Sequence, residues 1–211
     1  MSDSPPLISY AAELRRKALH LGALVLPAGI LLLGRPLAAA VLVPLAVVAV
    51  LCDWARVRVA PARRVLHALF AGLMRPEEIP PLGGPVVLNG ATWMCVASAV
   101  CALVFPPAVA AAAMAMVMVG DGAAAVVGRR FGRTLWPGGL KSVEGTAAFA
   151  ATAFAVGLAV VFWPGAGLTL AACASGAVVG AIAEAVPVPV NDNVRVPLVA
   201  GAAMLAVLAL F

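Results

Sequence analysis

The chain has 211 residues, of which 64% are hydrophobic and 11% charged, with a formal net charge of +5 and a mean hydropathy of +1.09. Water-soluble domains carry about 45–50% apolar and about 25% charged residues, so this composition excludes a soluble globular enzyme and predicts an all-α, polytopic membrane helix bundle. Four cysteines (Cys52, Cys95, Cys101, Cys173) are scattered through apolar runs without a CxxC pair, which suits small packed hydrophobes and indicates neither disulfides nor zinc.

In chain order, apolar segments fall at 18–34, 36–52, 88–105, 107–128, 145–163, 168–186 and 196–211. Most reach the roughly 17–25 residues that a spanning helix needs, so about seven transmembrane helices are expected in one integral-membrane domain covering 1–211. The breaks at Gly34-Arg35-Pro36, Pro106-Pro107, Trp163-Pro164-Gly165 and Pro187–Pro189 are helix-stop residues of connecting turns. The first segment has a long apolar part and no convincing cleavage site after it, so it reads as a span rather than a signal peptide.

Between the second and third segments lies the one sizeable polar insertion, 53–87. Within it Val65, Leu66, Leu69, Phe70 and Leu73 share one face, with Arg64 and His67 opposite. That pattern predicts an amphipathic helix lying in the membrane interface, with His67 at its surface.

Seven spans would place the amino terminus and the second, fourth and sixth loops on one side. That side would hold Arg15, Arg16, Lys17, Arg56, Arg58, Arg63, Arg64, Arg75, Arg129, Arg130, Arg133, Lys141 and Arg195, and the other side Arg35 alone. The positive-inside rule assigns the crowded side to the cytoplasm, with a bacterial inner membrane as the expected location. Cytosolic nucleotides and anionic membrane lipids are then the expected partners, and nucleic acid is not. A homodimer is compatible with the sequence.

The acidic residues follow the same asymmetry: Glu13, Asp53, Glu77, Glu78, Asp121, Glu144, Glu184 and Asp192 fall on or near the same ends. A helix over 107–128 would be about 33 Å long and would sink Asp121 about 10 Å below its end. A carboxylate at that depth costs several kcal/mol unless it faces protein, water, a cation or a metal. The structural alternative is an intramembrane pair with an arginine. Gly120 and Gly122 flank Asp121; such glycines allow close approach of a ligand, or break a helix so that a fresh amino terminus meets an anion. Ala124, Gly128 and Gly132 continue a line of small residues at four-residue spacing, which tight helix packing also explains.

Arg129, Arg130, Arg133 and Lys141 put four cations within thirteen residues, the inventory a triphosphate needs, although positive charge that sets topology accounts for some of them. Ser142 is placed to cap the fifth span, and Glu144 in its first turn suits the helix dipole. The stretch 129–144 is thus expected to be a cytoplasmic nucleotide-binding loop. It is not a Walker A loop, because "GGLKS" lacks a glycine directly before the lysine, and no GxGxxG follows a strand.

The pattern Asp121-x-x-Ala124-x-x-x-Gly128-x-x-x-Gly132, followed by Lys141-Ser142-x-Glu144-Gly145, resembles the CTP-binding motif of the dolichol kinase family, shared by phytol kinases and CTP-dependent diacylglycerol kinases. "ELRRKALHLG" at 13–22 is similar to the family's amino-terminal segment through Arg16, Lys17 and His20. "DWAR" at 53–56, "RPEE" at 75–78 and "GAT" at 90–92 fall in the family's order, and "NDNVRVPLVAG" at 191–201 resembles its terminal segment. Many members carry a second basic residue directly before the motif's lysine; here Leu140 stands in that place.

The resemblance implies transfer of the γ-phosphate of CTP to a lipid alcohol: a polyprenol or dolichol, phytol or a related isoprenoid, or diacylglycerol. Phosphoryl transfer needs a metal bridging phosphates, cations to neutralise charge, and a group to orient the hydroxyl. Asp121 is the leading ligand for Mg2+ or another divalent cation, with Glu144 and Asp192 as further candidates. Asp121, Lys141 and Glu144 form the expected catalytic set. Gly120, Gly122, Gly128, Arg129, Arg130, Gly132, Arg133, Lys141, Ser142 and Gly145 form the nucleotide site. Arg16, Lys17, His20, Asp53, Arg56, Glu78, Glu184 and Asn193 are further polar candidates, Glu184 or Asp192 being the base if one is used. The alternatives are a cytidylyltransferase making a CDP-lipid, whose carboxy-terminal basic and acidic motifs this chain lacks, and a transporter. Transporters tend to keep their sites near the midplane and to show internal repeats.

Overall fold

The structure, a computed structural model, describes residues 21–137 and 141–210. Arg16, Lys17, His20 and Leu140 lie outside the described residues. Among the described residues, seven α-helices with defined bounds follow in order: α1 Val25–Arg58, α2 Ala60–Phe70, α3 Gly90–Val104, α4 Pro107–Phe131, α5 Val143–Val161, α6 Leu170–Ala185 and α7 Asp192–Leu208. The all-helical class is as expected, and α1, α4 and α5 are long and apolar enough to cross a membrane.

The helix-stop residues act where the sequence places them. Within α1 only Gly34 leaves helical geometry, at φ 72° and ψ 174°, a conformation that glycine adopts without a Cβ clash. The first two apolar segments therefore meet at a sharp break there. Pro106 and Pro107 separate α3 from α4, and Pro107 occupies the first turn of α4, where a missing N–H costs no helical bond. Asn89, Ser142 and Thr169 cap α3, α5 and α6 through their side-chain oxygens.

Helix α4 is the hub, packed against α1, α3, α5, α6 and α7. Its first half, Ala108 to Met118, is buried throughout; alanines let neighbouring helices approach closely, while Met114, Met116 and Met118 are among the largest fully buried side chains. The periphery is apolar as well: Leu32, Leu37, Val41, Val47 and Leu51 of α1 are exposed, as expected of a bundle whose outer solvent is hydrocarbon.

Polar groups collect at one end of the bundle. At the opposite end Arg35 donates to the Leu103 carbonyl near the end of α3. At the polar end Asp53 and Arg56, each 1% exposed, pair through Arg56 Nε and Asp53 Oδ1 at 2.6 Å. Arg56 also donates to the carbonyls of Glu78 at 2.5 Å and Val87 at 2.6 Å. Asp53 accepts from the Asn89 main chain at 2.9 Å and side chain at 2.8 Å.

The insertion 53–87 contains α2 as expected, with no buried residue and with Val65, Leu69 and Phe70 exposed. His67 is half-buried, and its Nε2 is buried with no hydrogen-bond partner among the described residues. Burial, then the charges of Arg63 and Arg56, hold its pKa below the usual imidazole value.

Candidate functional site

Asp121 sits ten residues before the end of α4, within an unbroken helix from Pro107 to Phe131. Of the two readings offered for Gly120 and Gly122, the helix break is therefore not what the structure shows. The two glycines also differ in role. A Cβ on Gly120 would come within 2.9 Å of the Phe149 ring on α5, so Gly120 is a packing residue rather than a ligand contact, whereas Gly122 has nothing within 4 Å of its missing Cβ.

The line of small residues after Asp121 brings α4 against the start of α5. A Cβ on Gly128 would lie 3.1 Å from Ser142 Oγ, one on Gly145 would lie 3.0 Å from the Ala124 carbonyl, and one on Gly132 would meet Ser142 Oγ at 2.7 Å. Close approach of two helices through small residues is the packing explanation for that spacing, and it accounts for Gly132 in full. Ser142 is buried and accepts from Gly145 N at 3.1 Å as the cap of α5.

The described parts of the connector, 132–137 and 141–142, pair with each other. Val143 N donates to the Thr134 carbonyl at 2.8 Å and Trp136 N to the Lys141 carbonyl at 3.0 Å, and Leu135 pairs with Ser142 in an antiparallel bridge. Trp136 Nε1 donates to Thr146 Oγ1 at 2.9 Å. Glu144 completes this closure by accepting from Thr134 N at 3.2 and 3.3 Å through its two oxygens.

These elements enclose a cavity of about 410 Å³ at the polar end, lined by Arg75 from the insertion, Asp121, Ala124, Ala125, Gly128 and Arg129 from α4, Leu135, Lys141 and Ser142 from the connector, Gly145 and Thr146 from α5, Glu184 from α6 and Asp192 from α7. Of the residues expected from the sequence, Asp121, Gly128, Arg129, Lys141, Ser142, Gly145, Glu184 and Asp192 thus meet on one space. Gly120, Gly122, Glu144, Arg130, Arg133, Gly132 and Asn193 do not line it. Arg130 lies over the ring of Phe131, 5.5 Å from its centroid, and Asn193 N is bonded by the Asn191 side chain. Glu144 stands outside the cavity lining, with its oxygens accepting from Thr134 N. Asp53, Arg56 and Glu78 also stand outside the cavity, in the buried network beside it.

Arg75, Leu135 and Thr146 were not singled out as site residues in the sequence. Thr146 carries a local signal, one residue after the Gly145 of the motif. Arg75 carries none beyond its place in "RPEE".

Within the cavity, Lys141 Nζ donates to the Glu184 carboxylate and, at 2.7 Å, to the Glu184 carbonyl. Asp121 and Asp192 lie within electrostatic reach of Glu184. The wall thus carries three carboxylates and three cations, of which Lys141 and Glu184 satisfy each other. Among the described residues no cluster of three or more His, Cys, Asp or Glu side chains is spaced to hold a metal by itself. No protein-family model, curated protein or solved structure matches the chain.

Proposed function

We propose that this chain is a membrane lipid kinase that transfers the γ-phosphate of CTP to the hydroxyl of a lipid alcohol. One observation carries the reading: three carboxylates and three cations converge on a single cavity at the end of an otherwise apolar helix bundle. Charge placed there is costly beside hydrocarbon and suits a site where a soluble anion meets a lipid headgroup. CTP as donor and the lipid alcohol as acceptor follow from the resemblance of the Asp121–Gly145 motif to dolichol and phytol kinases. On this reading the apolar segments on either side of Gly34, together with α3 to α7, make seven spans, α2 lies in the interface and the cavity opens to the cytoplasm, in agreement with the crowding of basic residues on that side.

Magnesium characteristically binds through one or two carboxylates together with substrate phosphates. The donor set fits that habit: Asp121 and Asp192 would hold the ion. When bound, it would neutralise the charge of the β- and γ-phosphates. The chain's own residues do the rest. Arg129 and Lys141 bind phosphate oxygens. Glu184, freed from Lys141 as that lysine turns to the nucleotide, accepts the proton of the lipid hydroxyl. The hydroxyl oxygen bonds to the γ-phosphorus, the bond from that phosphorus to the β–γ bridging oxygen breaks, and CDP leaves. The apolar faces beside the cavity hold the acceptor's tail, so its hydroxyl arrives from the membrane while CTP arrives from water.

Purified protein supplied with Mg2+, γ-labelled CTP and a panel of lipid alcohols and lipid phosphates, the acceptors of a kinase and of a cytidylyltransferase respectively, tests the reading. A labelled lipid phosphate supports it. Labelled pyrophosphate with an unlabelled CDP-lipid makes the protein a cytidylyltransferase, and no turnover with any acceptor removes the kinase assignment.

A further inference from the structure

The insertion contributes one side chain to the cavity, Arg75, and the structure shows how it is held there. Glu78 lies three residues on, across the single turn Pro76–Glu78. Its Oε2 accepts from Arg75 N at 2.9 Å, and its Oε1 accepts from Gly90 N at 3.1 Å, at the start of α3. The Glu78 carbonyl in turn accepts from Arg56, whose guanidinium is fixed by Asp53 and the Val87 carbonyl. Farther along, Gly83 N donates to the Val57 carbonyl at 2.8 Å, and Arg63 donates to the Pro80 carbonyl at 2.7 Å. The strap 75–90 is therefore pinned at several points to the ends of α1 and α3 and to α2. Its main chain is fixed by buried partners, while the Arg75 side chain remains 41% exposed, with Glu77 at 4.0 Å as its ion-pair neighbour.

We infer that Arg75 is a phosphate-binding residue of the cavity, and that Glu78, with the buried Asp53–Arg56 pair behind it, is its positioning residue. The inference rests on the reading of the cavity as a nucleotide site. Arg75 shares the cavity lining with a second guanidinium, that of Arg129. Guanidinium also offers planar, paired donors that match phosphate oxygens. A side chain whose main chain is clamped and whose own charge has only a long, exposed partner is suited to meet an incoming anion with little loss of order.

The test is calorimetric titration of the full chain in lipid nanodiscs with CTP and with inorganic pyrophosphate, each with Mg2+. Arg75→Ala removes a half-exposed side chain and leaves the Glu78 bonds in place, since those reach the main chain. It is expected to raise Kd for both ligands about tenfold or more. Glu78→Gln loses one of two acceptors and should weaken binding severalfold in the wild-type background, but not further in the Arg75→Ala background, because its effect passes through Arg75. Glu77→Gln should leave both affinities unchanged. Wild-type binding of CTP with an unaltered Kd in Arg75→Ala overturns the inference and leaves the nucleotide reading standing. Binding of pyrophosphate that depends on Arg75, without binding of CTP, keeps the inference and removes the nucleotide. A Glu78→Gln penalty of equal size in both backgrounds overturns the positioning role. Binding of neither ligand overturns both.

Discussion

Lys141, in the connector between α4 and α5, is bound to Glu184 of α6 twice, through the carboxylate and, at 2.7 Å, through the main-chain carbonyl. The two differ in burial: the Glu184 side chain is 6% exposed and that of Lys141 is 39% exposed. A buried carboxylate left without its cation is costly, and the partial exposure of Lys141 moderates what the pair itself contributes.

Replacing Lys141 by Ala should therefore lower stability by about 1–2 kcal/mol, with Glu184 stranded at the cavity wall. The exchange Lys141→Glu with Glu184→Lys restores an ion pair and should recover most of the thermal midpoint. It also removes the carboxylate that the proposed mechanism uses as proton acceptor, so phosphate transfer should stay low. Midpoint and turnover are measured on the same preparations. A charge-exchanged protein working at the original rate would remove both side chains from the proposed chemistry.

Gly120 and Gly122 flank the same aspartate and should respond in opposite ways to alanine. At Gly120 the new methyl would lie 2.9 Å from three atoms of the buried Phe149 ring, an overpacking that typically costs about 1–3 kcal/mol. Combining Gly120→Ala with Phe149→Leu should recover part of that loss. At Gly122 the methyl meets open space, and helix propensity favours alanine over glycine by up to about 1 kcal/mol. Thermal midpoints of the three variants decide it; equal losses at both glycines would contradict the packing account.

The two glycines also show what was legible in the sequence. Helix ends were, because proline and glycine act locally: Gly34, Pro106-Pro107 and Ser142 stop, start or cap helices where the sequence places them. The motif from Asp121 to Gly145 was legible as a cluster, since one helix and its connector bring those residues together without any long-range contact. Which glycine packs and which faces open space depends on Phe149, a residue on another helix, and no spacing within α4 carries that. The bonds of Glu144 were not legible for a related reason. Its place in a first turn does not say which main-chain group its oxygens meet, and only the fold of 132–136 brings Thr134 N to them. Arg75 lies 46 positions before Asp121 in the chain and reaches the cavity through a strap with no periodic signal.

His67 gives the chain a pH response outside the spanning helices. Its buried Nε2 has no hydrogen-bond partner among the described residues, and burial, Arg63 and Arg56 all lower its pKa. The unfolded chain, titrating near the ordinary value of about 6.5, binds the proton more readily than the folded one. Stability is therefore unaffected well above that value, declines as the pH falls through it, and levels off below the lowered folded pKa. His67→Gln should flatten the midpoint-against-pH curve between about pH 7 and 5. A variant curve parallel to that of the wild type would assign the slope to other groups.

Arg56 makes three hydrogen bonds from three different nitrogens, to Asp53, Glu78 and Val87, while 1% exposed. A lysine has one ammonium on a flexible stem and cannot reproduce that fork. Arg56→Lys should cost about 3 kcal/mol, the scale of a disrupted buried ion pair, despite keeping the charge. The strap should loosen first, so protease cleavage within 75–90 should accelerate before global unfolding does. A lysine variant of unchanged stability and protease resistance would show that charge alone holds the strap.

Asp121 is the carboxylate on which the chemical reading depends. It is held in the body of α4 rather than on a mobile loop, so Asp121→Asn keeps the helix, the volume and one acceptor oxygen, and the protein should insert and unfold as before. What changes is the charge available to a divalent cation beside Asp192. Turnover should fall about a hundredfold or more, the scale of losing one preorganised charge-stabilising group. The Mg2+ concentration required for half-maximal rate should rise in parallel, because one of two carboxylate ligands is lost. Asp192→Asn should shift the Mg2+ requirement in the same direction, and the double variant should add little, as expected of two ligands to one ion. The rate measured against Mg2+ concentration for the four proteins separates this from a structural aspartate: a variant that lost stability while keeping its Mg2+ response would place Asp121 in the packing of the bundle and the chemistry elsewhere.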